Sequence, residues 1–208
     1  MAQNIFQTFH PPMMANSIKE PFDSPDSMSL DRLWLSLADR DWHQAAQLIE
    51  KMKGSENNGF AYAPRAVPVE CYSALMSRLR EEPLKGAVAR EQLNMRVLKS
   101  PQDAGLLSEL AVVDALLNNS DTAISEAKRT CEMLPVSKDA VDGPGLLINL
   151  AVVYAWTNEL DLAFVTLGPL TKMPFGIYYG QLKRDPYWDP LRKDPRFDKL
   201  LAELAPRD

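Results

Sequence analysis

Few side chains in this sequence have the type and spacing that reactive chemistry requires. The two cysteines, Cys71 and Cys131, lie sixty residues apart in helix-period patterns. They can pair in principle; the simpler reading is two reduced thiols on helices. The two histidines are also far apart. His10 sits beside Pro11 in a stretch without periodicity and reads as solvated. His43 follows Asp39 by one helical turn and reads as a surface histidine near a turn. Two His and two Cys exclude most zinc sites, which need four N/S ligands or three plus water. No HExxH, CxxC or GxSxG string occurs, so the matching metal, redox and acyl-transfer chemistries lack a motif. The nearest approach to a phosphate loop is Gly143-Pro144-Gly145, whose proline makes it a helix lead-in. Carboxylate pairs are plentiful, but on mixed-charge helices they form solvated faces. The expectation is therefore a chain with no catalytic residue, no metal and no cofactor.

The elements that carry these side chains belong to an ordinary globular composition. Of 208 residues, 46% are hydrophobic and 25% charged, which is typical usage. A chain of this length buries roughly 70% of its unfolded surface and needs no disulfide or metal to fold. Lys and Arg number 23 against 28 Asp and Glu, a net charge of −5. That balance argues against nucleic acid as partner, because phosphate binding wants a basic face. The N-terminus, MAQNIFQTFHPPMM, has no Lys or Arg before Lys19 and lacks the charged and apolar regions of a secretory signal. No apolar run approaches the roughly 20 residues that span a bilayer. A cytoplasmic chain without a membrane partner is expected.

Residues 1–28 carry Pro11, Pro12, Pro21 and Pro25 among polar residues and read as a disordered leader. From Leu30 a helical period begins. Leu30, Leu33, Trp34 and Leu37 form one stripe, Asp39-Arg40-Asp41 a turn, and Trp42, Ala45, Ile49 and Met52 a second stripe. Gly54–Pro68 reads as a loop around Asn57-Asn58-Gly59. A second pair runs from about Val69 to Lys99. Leu75, Met76 and Leu79 mark its first helix, and Glu81-Glu82-Pro83 breaks it. Ala89, Leu93 and Val97 carry its second helix, opened by Pro83 and stopped by Pro101.

The strongest signal is a duplication. Gly105–Ala115 reads GLLSELAVVDA and Gly145–Ala155 reads GLLINLAVVYA, eight of eleven positions being identical at an offset of 40. Asp121 and Asp161, and Ala123 and Ala163, continue the match. Self-similarity at this period is the mark of a solenoid of helix pairs.

The repeat resembles the tetratricopeptide repeat family, whose pattern is a large residue, Leu, a small residue and Tyr, then Ala, a large residue and Pro. Leu147, Leu150, Ala151, Tyr154, Ala163 and Leu167 match it in the last repeat. Leu107, Leu110, Ala111, Ala123 and Pro135 match it in the one before. The pair before that keeps Ala89, Leu93 and Pro101 but has Ser77 and Arg80 in its first helix, and the earliest keeps Ala45 and Ile49. Asp114 stands where the tyrosine is expected, and Lys138–Gly143 is an insertion. The strings LPVSKDAVDGP, LAVVYAWTNELDLAF and YYGQLKRDPYWDPLRKDPRFDKLLAELAP resemble the C-terminal repeat region of bacterial signalling proteins. There such arrays follow a Ser/Thr kinase, a nucleotide cyclase or a winged-helix regulator.

The resemblance implies an all-α, right-handed solenoid. About four helix pairs are expected near residues 29–53, 69–101, 104–137 and 144–175, with a C-terminal tail and cap over 176–208. It implies a scaffold or adaptor binding a protein or peptide segment, with a homodimer also open. The alternative is a sensor or regulatory segment separated from its output domain. Ala111, Ala123, Ala151 and Ala163 are expected where helices cross closest. In the tail, Asp185-Pro186 and Asp189-Pro190 read as turns. Asp194-Pro195 opens a helix to Ala205, with Phe197, Leu200, Leu201 and Leu204 on one face.

In such an array the first helix of each repeat lines the concave side. Ser108, Val112, Ala115 and Leu116, and in the next repeat Ile148, Val152, Ala155 and Trp156, recur at i, i+4, i+7 and i+8. The partner-binding groove is assigned to Ser108, Val112, Leu116, Ile148, Val152 and Trp156. The helix Leu146–Trp156 is apolar all round, so both its sides need cover. Phe175–Trp188, with Tyr178, Tyr179, Tyr187 and Trp188, is the nearest cover in the chain; a partner or second copy is the alternative.

Overall fold

The computed structural model describes residues 29–53 and 67–206. The expected leader, His10 and nearly all of the Gly54–Pro68 loop lie outside them. Among the described residues there are helices and turns and no strand. The order is α1 (Ser29–Ala38), α2 (Trp42–Met52), α3 (Val69–Leu79), α4 (Pro83–Lys99), α5 (Ala104–Leu116), α6 (Ser120–Met133), α7 (Gly143–Trp156) and α8 (Leu160–Leu170). The tail adds α9 (Tyr179–Arg184), a 3₁₀ turn (Pro186–Leu191) and α10 (Pro195–Leu204).

Local chemistry explains the boundaries. Asp41 and Asp103 each accept the N–H three residues on, from Gln44 at 3.0 Å and Leu106 at 2.9 Å, which satisfies donors left open at a helix start. Pro83 and Pro144 occupy first turns, where the missing N–H costs nothing. Gly143-Pro144-Gly145 is thus a helix start, with Asp139 accepting the N–H groups of Val141 and Asp142 just before it.

The turns inside the pairs repeat one geometry. Arg40, Glu81, Asn118 and Asn158 all adopt left-handed backbone, with φ of 61°, 56°, 66° and 64°. The next N–H in each case donates to a carbonyl five residues back: Asp41 to Ser36, Glu82 to Ser77, Asn119 to Asp114 and Glu159 to Tyr154, at 2.8–2.9 Å. This bond closes a Schellman-type helix end. The 40-residue offset therefore extends through the turn.

The common turn also fixes which residues are equivalent in the following helix. Four residues after each donor stand Ala45, Gly86, Ala123 and Ala163, all buried. In the second pair the small residue at this crossing is Gly86, three positions before the Ala89 that the stripe suggested. A Cβ on Gly86 would come within 2.6 Å of Leu117 Cδ2 and Ser77 Oγ, so only glycine fits there without displacement. Ala89 is buried as well, elsewhere in the core.

Each helix packs on its neighbours in sequence. Helix α3 meets α4 and α5, α5 meets α6 and α7, and α7 meets α8 and the 3₁₀ turn. Helices α5 and α7 are consequently enclosed on nearly every side, the state that an all-round apolar helix requires. The main core runs from Cys71 to Leu200; a smaller one joins Leu33, Leu37, Ala45, Ile49 and Met52 to Val69 and Met76. Tyr72 packs against both.

Where Asp114 replaces tyrosine, the packing changes in kind. Its carboxylate is fully buried and accepts two bonds from Arg90 of α4, at 2.7 and 3.0 Å, and one from Asn119 at 2.6 Å. At the equivalent place in the next repeat, the Tyr154 ring lies 6.0 Å from the Lys128 ammonium of α6. Both junctions take a cation from the preceding second helix.

Candidate functional site

The site forms where the tail returns onto the face made by the first helix of each pair. Asp185 accepts the Tyr187 N–H at 3.0 Å and so starts the 3₁₀ turn, with Pro186 in its first position. The turn buries Tyr187, Trp188 and Leu191. Trp156 donates its indole N–H to the Tyr187 carbonyl at 2.9 Å. Ile177 and Leu182 complete the buried side of the tail. Of the aromatic residues expected as cover, Tyr187 and Trp188 serve, whereas Phe175 and Tyr178 are 38% and 40% exposed. Tyr179 instead meets Lys183.

Ionic contacts fasten the other edge of the tail to the α1–α2 turn. Arg40 donates to the Arg184 carbonyl at 2.9 Å and to Asp189 at 2.6 Å. Arg184 pairs with Asp39. Arg192 donates to Asp189 at 2.7 Å and to the carbonyls of Lys183 and Asp185. Asp39 is therefore engaged by the tail, and His43 meets Gln47 at 2.9 Å. At the far end, Asp194 accepts the Arg196 N–H and opens α10, which packs on α8 and α9.

Between the tail and the helices lies a cavity of about 190 Å³. Trp34 of α1, Tyr72 of α3, Glu109 and Val112 of α5, and Ile148, Asn149 and Val152 of α7 form its floor. Tyr178, Gln181, Asp185, Tyr187 and Trp188 form its roof. Glu109 is 3% exposed. Its carboxylate accepts from the Cys71 thiol at 3.3 Å and from the Asn149 amide at 3.3 Å. Asn149 also donates to Ser108 at 3.1 Å.

The electrostatics follow from this enclosure. Burial pushes the Asp185 carboxyl up to about 6, against the opposing pull of the Tyr187 N–H and Arg40. The Tyr72 and Tyr178 phenols are raised, first by burial and then by nearby carboxylate charge; the Tyr187 phenol is raised by burial, then by Cys71 and Tyr72 and after them by Asp185 and Glu109. Both cysteines are reduced, and burial pushes the Cys131 thiol up to about 11. Among the described residues no group of three His, Cys, Asp or Glu side chains is placed to hold a metal ion.

The tail and helices bring only part of the expected groove onto the cavity. Val112, Ile148 and Val152 line it. Ser108 is buried at the α5–α7 contact, where it meets Asn149, and Leu116 is 1% exposed. Trp156 lies beside the cavity, half-buried under the Arg78 guanidinium at 5.9 Å and bonded to Tyr187. With the tail seated, Ser108, Val112, Leu116 and Val152 are buried, and Ile148 and Trp156 are half-buried.

Sequence reasoning missed Tyr72, Glu109, Asn149 and Asp185. A signal for two of them was present. Glu109 and Asn149 are 40 residues apart and are the polar exceptions at one repeat position within GLLSELAVV and GLLINLAVV. No described helix is long and apolar enough to cross a membrane. No protein-family model, curated protein or solved structure matches the chain.

Proposed function

We propose that the chain is a non-catalytic interaction module, a tetratricopeptide-like right-handed solenoid whose first-helix face receives a protein or peptide segment. The observation that carries this reading is the seat of the tail. That face already holds a polypeptide segment of its own chain, burying Tyr187, Trp188 and Leu191 and binding a backbone carbonyl through Trp156. A surface that accepts aromatic side chains and a carbonyl from one segment has the chemistry to accept another. The repeated left-handed turns at Arg40, Glu81, Asn118 and Asn158 support the repeat assignment.

The test is photo-crosslinking in the native cell, with the reactive group at Tyr178 on the rim of the covered face or at Glu91 on α4. A recurrent protein captured from Tyr178 and not from Glu91 is expected. Crosslinks that stay within the chain at both positions would count against the reading. The cavity under the tail favours a second reading, a sensor or regulatory segment of a signalling protein, in which a small ligand sets how the tail is held.

A further inference from the structure

We propose that the outward face of α4 docks an amphipathic helix of a partner protein, one with an apolar seam and a basic residue at its centre. Leu84, Val88, Glu91, Met95 and Leu98 follow one another at steps of four, three, four and three residues. That spacing is a heptad seam, the pattern by which one helix packs along another. It lies opposite Gly86, Ala89, Leu93 and Val97, the buried residues of α4, which packs on α3 and α5. The four apolar side chains of the seam are between 50% and 83% exposed. Scattered apolar side chains are ordinary on a surface; four on one stripe of a single helix form a patch of the kind that marks an interaction site.

The other repeats show that the fold does not require this seam. The equivalence of Ala45, Gly86, Ala123 and Ala163 fixes the register. At the positions of Leu84 and Val88, α2 has His43 and Gln47 and α6 has Asp121 and Ser125, all exposed. At the position of Met95, α6 has exposed Glu132. Helix α8 has Asp161 and Val165 at the first two positions. The array therefore accepts polar residues there, and α4 departs from it by being apolar at each.

Glu91 selects the occupant. It stands at the midpoint of the stripe, is exposed, and makes no ion pair among the described residues. A second copy fits poorly. A two-fold pairing along the full stripe, parallel or antiparallel, sets Glu91 against its own counterpart, and like charges at close quarters repel. Lys85, Arg96 and Lys99 border the stripe, which makes an anionic lipid surface the competing occupant. Glu82 and Glu70 already hold Lys85 and Arg96, at 2.9 and 3.1 Å, and a lipid layer would draw in the Glu91 carboxylate without a partner, which is costly. A partner helix meets both demands. Its apolar side chains cover the four of the seam, and one lysine or arginine opposite Glu91 forms a charge-assisted bond that also fixes the register. The seam shares no residue with the first-helix face, so this inference and the interaction-module reading can fail separately, and its partner differs from a protein captured at Tyr178.

The experiment uses the full chain and two labelled three-heptad helical peptides. Both carry leucine at every seam position except the central one, which is lysine in one peptide and glutamate in the other. Fluorescence anisotropy should show saturable binding of the lysine peptide at about 100 μM or below. The glutamate peptide should bind at least about fivefold more weakly. Glu91→Lys should reverse that preference, which the general stickiness of an apolar patch cannot do. Val88→Glu should weaken the lysine peptide at least about tenfold, and Met95→Glu, also at an exposed position, repeats the test if Val88→Glu fails to fold. Sedimentation, and flotation with vesicles of phosphatidylcholine and phosphatidylserine in equal parts, examine the other occupants. A dimer or vesicle binding that Val88→Glu abolishes, no saturation by the lysine peptide, equal binding of the two peptides, or an unchanged preference in Glu91→Lys would overturn the proposal.

Discussion

Replacing Arg90 by methionine isolates the contact that distinguishes the α4–α5 junction. The substitution keeps an unbranched apolar stem and removes the guanidinium. Asp114 then loses two bonds, at 2.7 and 3.0 Å, and keeps one to Asn119. Its side chain is 0% exposed, so the remaining carboxylate is left buried with a neutral partner. Breaking a buried pair from one side costs about 3–5 kcal/mol. The Arg90 side chain is 33% exposed, so water can reach the vacated end and the low end, about 3 kcal/mol, applies. For a chain of 208 residues, at about 2–4 °C per kcal/mol, Tm should fall by about 6–12 °C. The assay is urea and thermal unfolding of Arg90→Met, Asp114→Asn and the double variant. Asp114→Asn removes the charge that Arg90 compensates, so the double variant should be less destabilised than the sum of the singles by about 1–3 kcal/mol. A fall in Tm of less than about 2 °C for Arg90→Met, or strict additivity, would refute the reasoning.

Three other perturbations follow from the same packing. Ala163→Leu overfills a crossing where Ala163 is 0% exposed and should cost about 1–3 kcal/mol. Ala87→Leu on the exposed side of α4 should stay within about 0.5 kcal/mol in the same denaturation series; equal midpoints would show that Ala163 is not at a close crossing. Ending the chain at Met173 removes Tyr187, Trp188 and Leu191 from the first-helix face. It should cause self-association or binding of an apolar-surface dye, and a monomeric, dye-negative truncation would show that the tail is not the cover. Asp185 is raised by burial from 3.8 to about 6, so between those values the folded chain binds the extra proton. Its contribution is therefore fully favourable below about pH 4 and declines as pH rises to about 6. Asp185→Asn should flatten Tm across that window, and parallel pH profiles for the two chains would contradict the assignment.

The order of helices was legible in the sequence because it rests on local signals. Period, caps and prolines act within one or two turns, and they placed the starts of α4 and α10 at Pro83 and Pro195. The duplication at an offset of 40 identified α5–α6 and α7–α8 as equivalent pairs, and the apolar circumference of α7 required cover on both sides. The equivalence of Gly86 with Ala45, Ala123 and Ala163 was not legible. It depends on the backbone turn at Glu81, where sequence identity between the pairs has faded and only hydrogen-bond geometry retains the register. The Arg90–Asp114 pair was likewise hidden, since the two residues are 24 apart on different helices. The cavity lay furthest from the sequence. Its wall takes residues from α1, α3, α5, α7 and the tail, segments joined only by tertiary packing. The sequence by itself determined which helices form and which faces must be buried. Only the tertiary structure decided that the chain's own Tyr187 and Trp188 bury that face, because side chains more than 30 residues apart become neighbours through the path of the whole chain.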